Sequence, residues 1–250
     1  LCTSQLGEEA ARSLARRTRL ELLSIEGALL PAAVVGQLTN GPLLAMVNEL
    51  CFAHGAVDDA TLSTVMASAQ RATALDVYDC GIGSVNAIAT SRCRLERLSL
   101  RSNPLGEQAA AELAASPHPL NELDLTETSV GDRGTAAVAA AAFSLSVLGL
   151  GNAEVGDDGA CALAAADALA TLRTCLFYNN PRIGLRGLRA LASSTSLAGV
   201  ERFDLDGNGW TTAEHARILA ESTLHPIVRE EWRRELERIE RCALRREPFK

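Results

Sequence analysis

A chain of 250 residues, 47% hydrophobic and only 4% aromatic, has room for one or two ordinary domains. Its 24 basic and 31 acidic residues leave a net charge of −7, which argues against general nucleic-acid affinity, since that needs cations to displace counterions from phosphate. No stretch approaches about 18 consecutive apolar residues, so no membrane-spanning helix is expected.

One spacing recurs along the chain. Leu20-x-x-Leu23-x-Ile25-x-x-Ala28-x-Leu30 is followed by Val47-x-x-Leu50-x-Phe52-x-x-Gly55-x-Val57 and Ala72-x-x-Leu75-x-Val77-x-x-Cys80-x-Ile82. Leu95-x-x-Leu98-x-Leu100-x-x-Asn103-x-Leu105, Leu120-x-x-Leu123-x-Leu125-x-x-Thr128-x-Val130 and Leu145-x-x-Leu148-x-Leu150 continue it. Leu172-x-x-Cys175-x-Phe177-x-x-Asn180 and Val200-x-x-Phe203-x-Leu205-x-x-Asn208-x-Trp210 close the series. Repeats therefore start at 20, 47, 72, 95, 120, 145, 172 and 200. Apolar residues at repeat positions 4 and 6 predict a strand with one buried face, because side chains alternate with period 2. The Ala- and Leu-rich stretches 107–115, 134–142, 158–166 and 185–192 predict helices. The shortest interval predicts a stunted helix at 84–90. Asn103, Asn180, Asn208 and Cys80 hold a polar residue at position 9, whereas Ala28, Gly55, Thr128 and Ala153 interrupt that ladder.

This pattern, L-x-x-L-x-L-x-x-N/C-x-L, is the leucine-rich-repeat signature. The segments G-D-R-G-T-A-A-V at 131–138 and G-D-D-G-A-C-A-L at 156–163 resemble the helix start of the ribonuclease-inhibitor-like subtype. The resemblance implies an α/β solenoid, a horseshoe or arc with a parallel concave β-sheet and convex helices, over residues 1–223. It implies little about function, because the class hosts many tasks, from Ran GTPase-activating protein to tropomodulin-type caps and receptor sensor domains.

Leu1, Ser4, Leu6 and Gly7 match repeat positions 6, 9, 11 and 12, so the chain is expected to begin inside a repeat of a longer protein. Residues 224–250 form a second region. There Val228, Trp232, Leu236, Ile239 and Ala243 make one apolar helical stripe, with the pairs Glu230–Arg234 and Glu237–Arg241 on its flanks. This helix either caps the last repeat or leaves the solenoid to dock elsewhere, with Trp232, Leu236 and Ile239 as its contact residues.

Signs of chemistry are sparse. Seven widely spaced cysteines include no C-x-x-C and no histidine at zinc-ligand spacing, so reduced thiols and no metal are expected. D-L-D-G-N-G-W at 204–210 looks like the start of a calcium loop, but its twelfth position is His215 rather than Glu and the stretch is in register with seven other repeats. No P-loop, H-E-x-x-H or G-x-S-x-G is present, no cofactor is expected, and the expectation is of a non-enzyme. Asp76 and Asp124 share repeat position 5 two strands apart, on an open face that offers no catalytic pocket.

The inner face carries the functional expectation. At positions 2, 3, 5, 7 and 8 acidic residues outnumber arginines, which predicts a negative surface that steers a partner with a basic segment. Tyr78, Asp79, Arg101, Glu122, Asp124, Glu127, Tyr178, Asp204 and Asp206 are the candidate contacts. The expectation is a protein–protein interaction scaffold of the cytoplasm, in a complex or cytoskeleton-associated, binding neither nucleic acid nor membrane. Two alternatives remain. One is a GTPase activator resembling Ran GTPase-activating protein, although the acidic tail of that family is missing and 229–247 mixes Arg and Glu. The other is a sensor or translocated effector, suggested by 23 Arg against one lysine, Lys250, a bias that GC-rich coding also produces.

Overall fold

The structure, a computed structural model, describes residues 2–3, 6–27, 29–210 and 212–244. Strand and helix alternate along it. The strands are β1 (Cys2–Thr3), β2 (Leu22–Glu26), β3 (Glu49–Ala53), β4 (Ala74–Tyr78), β5 (Arg97–Ser99), β6 (Glu122–Asp124), β7 (Val147–Gly149), β8 (Thr174–Leu176) and β9 (Arg202–Asp204). All are parallel neighbours in chain order within one sheet. The helices are α1 (Glu8–Ala15), α2 (Ala32–Thr39), α3 (Leu43–Met46), α4 (Asp59–Ser68), α5 (Asn86–Ala89), α6 (Glu107–Ala114), α7 (Gly131–Ala140), α8 (Asp157–Ala164), α9 (Leu185–Ser193), α10 (Ala213–Ala220) and α11 (Pro226–Leu244). The short interval at 72–95 leaves room only for the four-residue α5.

The register follows the repeat. Leu50 pairs with Leu75, Leu75 with Leu98, Leu98 with Leu123 and Leu123 with Leu148. All of these are buried, as are Leu100 and Leu125 two residues on. The helices cover one face of the sheet and share a single core with it. Strands sit about 4.8 Å apart and packed helices 8–10 Å apart, so such a stack bends with its sheet on the inside. The molecule is a leucine-rich-repeat solenoid with eight in-register repeats.

Three ladders hold adjacent repeats together. In the first, the Asn103 side-chain oxygen accepts the Cys80 and Ile82 N–H groups, and its amide donates to the Val77 and Leu100 carbonyls. Asn180 and Asn208 repeat that arrangement. The ladder is less interrupted than the sequence suggests. The Thr128 hydroxyl donates to the Leu125 carbonyl, the Cys80 thiol donates to Phe52, and Asn180 serves Ala153 from the next repeat. Ala28 lies outside the described residues.

The second ladder caps helices across repeats. The Asp132 carboxylate accepts the Gly156 and Gly159 N–H groups, and Asp157 accepts those of Gly184 and Gly187. At the starts of α8 and α9 a carboxylate of the preceding repeat thereby neutralises the helix's positive end. Gly159 is required there: a Cβ would lie 2.6 Å from Val155 and 2.8 Å from the Asp132 carboxylate.

The third ladder is a conformation. Every described position 8, Gly27, His54, Asp79, Ser102, Glu127, Asn152, Asn179 and Gly207, has a φ between 49° and 105°. The chain thus turns off each strand through one left-handed residue, and Gly, Asn, Asp, Ser and His recur there because they tolerate it best.

At the start, β1 departs from expectation. Cys2 pairs with Ser24 and Thr3 with Ile25, two positions from the alignment implied by Leu6 and Gly7. Counted from the paired residues Thr3 and Ile25, the chain reaches α1 two residues sooner than it reaches α2. Leu1 and Ser4 lie outside the described residues. At the other end α11 packs along α10 and touches β9. Val228 is buried, Trp232 packs against the core, and Leu236 and Ile239 are half-buried; the Ala243 side chain lies outside the described part. Glu230 pairs with Arg234 as expected, but Arg241 donates to the Glu237 carbonyl rather than to its carboxylate.

Candidate protein-binding face

Repeat positions 3, 5 and 7 point away from the core, so β3 to β6 bring together residues far apart in sequence. Position 7 of β4 is Tyr78, and the residue after β5 at the same position is Arg101. The Arg101 guanidinium carbon lies 5.8 Å from the Tyr78 ring centroid, and its Nε is 3.7 Å from the Asp124 carboxylate. On the other side, His54 packs edge-on against Tyr78, with centroids 5.1 Å apart, and its Nδ1 lies 3.1 Å from Asp79. Both sit at left-handed position 8, on the turn bordering the sheet rather than on the strand itself. Glu127 occupies the same rim and accepts a hydrogen bond from the Ser102 hydroxyl.

Asp124 is held more firmly than a surface carboxylate. One oxygen accepts the Thr126 N–H at 3.0 Å while the carboxylate lies against Gly149, where any Cβ would collide with it. Asp76 shares its register through Ser99. Burial raises the Asp76 pKa, the Ser99 hydroxyl opposes the rise, the Asp124 charge adds to it and Arg101 opposes it. One Asp76 oxygen has no hydrogen-bond partner. Tyr78, Arg101, Asp76, Asp124 and His54 line an open recess of about 430 Å³.

The Asp76 pKa in the folded protein is raised above the ordinary carboxylate value of 3.8, so the folded state binds more protons there and stability falls as pH rises through the folded value. Asp76→Asn is therefore expected to raise the thermal midpoint at pH 7, with the gain shrinking as the pH falls through the folded value toward 3.8 and lost below it. Thermal melts of both proteins across that range test it; a gain that grows in acid would reverse the assignment.

The face is less uniformly acidic than expected. Arg97 reaches across Ala74 to Glu49 at 2.6 Å, and Arg101 balances Asp124. The centre is therefore mixed in charge, while free acidity concentrates toward Glu26 at one end and Asp204 and Asp206 at the other. Glu122 is half-buried on β6, between Arg97 and Val147. Tyr178 stands apart from Tyr78, four strands along, with its ring over Gly151. His54 completes the cluster; it is not among the sequence candidates, which are acids, arginine and tyrosines, and its position 8, shared with Asp79, is the signal that points to it.

The calcium-like segment has a structural role. Asn208 donates to the Phe177 and Leu205 carbonyls and accepts the Asn180 N–H, while Asp204 accepts the Asp206 N–H. Among the described residues no three His, Cys, Asp or Glu groups converge as metal ligands, and no helix is long and apolar enough to cross a membrane. Cys80, Cys93, Cys161 and Cys175 are free, and burial pushes the Cys80, Cys93 and Cys175 thiols up.

No protein-family model matches the chain, and no curated protein matches it in sequence. Among solved structures it is similar to a chain of the crystal structure of the Rad7 and Elc1 complex in yeast, at 11% identity and a TM-score of 0.43, covering 89% of this chain and 73% of that one.

Proposed function

We propose that this chain is a non-catalytic protein-interaction scaffold whose inner sheet receives a basic or mixed-charge segment of a partner. The observation that carries this reading is the cluster of Tyr78, His54, Arg101, Asp76 and Asp124 around an open recess on adjacent strands. Tyrosine and arginine are the residues that most often anchor interfaces, and fixed carboxylates between them give orientation. The repeats read as ribonuclease-inhibitor-like, because a strand alternates with a helix of eight to ten residues in most of them. The free Cys80, Cys93, Cys161 and Cys175 support a reducing compartment such as the cytoplasm, and membership of a larger assembly accords with the reading.

Asp124→Asn keeps the acceptor for Thr126 but removes the charge, and Tyr78→Ala removes the ring. The double variant is expected to fold normally and to lose partner affinity by about 30-fold or more, the scale of one interface hot spot. Crosslinking and mass spectrometry on wild type and variant, at two salt concentrations, provide the measurement. Captured partners that persist unchanged in the variant would move the site off this face. Accelerated GTP hydrolysis by a small GTPase in the presence of the chain would replace the scaffold with an activator.

A further inference from the structure

The sheet does not end where its hydrogen-bonding pattern does. At all seven junctions from β2 to β9, the position-2 carbonyl accepts N–H groups of the following repeat; the Glu21, Asn48 and Arg173 carbonyls are examples. At the same seven junctions the position-8 N–H donates to the following position 7, as Asn152 does to Tyr178 and Asn179 to Asp206. Position 6 donates likewise, as Phe177 does to Asp204. In the last repeat the corresponding groups are the Glu201 carbonyl and the Leu205 and Gly207 N–H groups. None has a partner among the described residues.

The residues that carry these groups line an open-mouthed cleft of about 810 Å³ whose opposite wall is α11, through Glu231, Trp232 and Glu235. A terminal helix that merely covered the edge would fill this space, as natural proteins commonly do to blunt an edge strand. Here the helix touches β9 and a cleft still remains between them. The cleft is also charged: Glu201, Asp204, Asp206, Glu231 and Glu235 face only Arg202 and Arg238, and Arg238 is already engaged by Glu235.

We propose that this cleft binds an extended peptide of another protein as a tenth, parallel strand. The peptide's carbonyls accept the Leu205 and Gly207 N–H groups, and its own N–H groups donate to the Glu201 carbonyl, repeating the bonds made at each earlier junction. Main-chain bonds supply affinity in such strand addition, and alternate side chains supply selection. One row of the added strand runs beside Asp204 and Asp206, which favours Arg or Lys. The other row runs toward Trp232, over the buried Phe203 and Leu205 that end the core, which favours aliphatic residues. The ligand class is therefore a segment alternating basic and aliphatic residues, and it uses a surface separate from the inner-face recess.

The test uses a fluorescein-labelled nonapeptide of alternating Arg and Val, titrated into the full chain and followed by fluorescence anisotropy. Saturable binding is expected, with a shift in Trp232 emission. Methylating alternate backbone amides along one edge of the peptide preserves its charge and blocks strand pairing; affinity should drop tenfold or more for one of the two methylation phases. Because that comparison leaves the protein untouched, misfolding cannot imitate it. Glu231→Arg should weaken binding about tenfold, whereas the Tyr78→Ala, Asp124→Asn variant should bind as wild type, which separates this site from the inner face. No saturable binding, or equal binding of both methylated peptides and the parent, would overturn the proposal. So would loss of binding in the inner-face variant with none in Glu231→Arg. A chain ending at Leu244 that binds ten times more tightly than the full chain would show that residues 245–250 are the natural occupant, and would overturn the assignment to another protein.

Discussion

Asn180→Ala is expected to be among the most destabilising single substitutions in this chain, on the order of 3–5 kcal/mol, because each buried backbone group left unpaired costs about 1–3 kcal/mol. The side chain is fully buried. Its oxygen accepts the Ala153 and Val155 N–H groups at 3.1 and 3.0 Å, and its amide donates to the Leu150, Phe177 and Tyr178 carbonyls at 2.8, 3.2 and 3.2 Å. Alanine can replace none of these, and the site is dry enough that water does so poorly. Since each repeat touches only its neighbours, the damage should be local. Urea unfolding measures the loss, and hydrogen exchange at Ala153 and Val155 should accelerate before exchange in β4. A loss under about 1 kcal/mol would mean that backbone pairing alone holds these turns. Asn152→Ala is the control: the same residue type one repeat earlier, but exposed, is expected to cost no more than the roughly 1 kcal/mol of a left-handed non-glycine residue.

Leu123→Ala ranks beside it, at about 2–5 kcal/mol for a cavity in a close-packed core. Leu123 is completely buried on β6, in register between Leu98 on β5 and Leu148 on β7, and the strands on both sides keep the backbone from collapsing into the space. Its neighbour Glu122 points the other way, so Glu122→Ala should stay within about 0.5 kcal/mol of wild type, as is usual for surface substitutions. Chemical denaturation of the two variants tests the strand's orientation directly. If Glu122→Ala proved the costlier change, the faces of the sheet would be reversed.

The repeat starting points were readable because their periodicity leaves no second solution. A slip of one residue would carry Leu98, Leu123 and Leu148 together to the solvent face, so the register is strongly specified wherever one face is buried. The same logic placed the stunted α5 in the shortest interval and recognised D-L-D-G-N-G as one more repeat. The candidate contacts were readable only as positions. The repeat positions of Tyr78, Arg101 and Asp124 share one side of the sheet, but that Arg101 lies over one and against the other depends on side-chain directions across strands.

What the sequence by itself determined is the set of contacts dictated by apolar spacing: which residues are buried, which strands are neighbours and which turns carry an asparagine. Hydrophobic burial is non-directional and scales with area, so a pattern of residue types suffices to specify it. What only the tertiary structure decided is everything set between repeats. Arg97 neutralises Glu49 by passing over Ala74, Asp132 caps a helix 24 residues further on, and the Cys80 thiol stands in for an asparagine amide. The left-handed turn shared by His54, Asp79 and Glu127 belongs to this second group, since no single repeat reveals that eight different residues adopt one conformation. Hydrogen bonds and ion pairs depend on distance and direction, and those are defined only once neighbouring repeats have stacked.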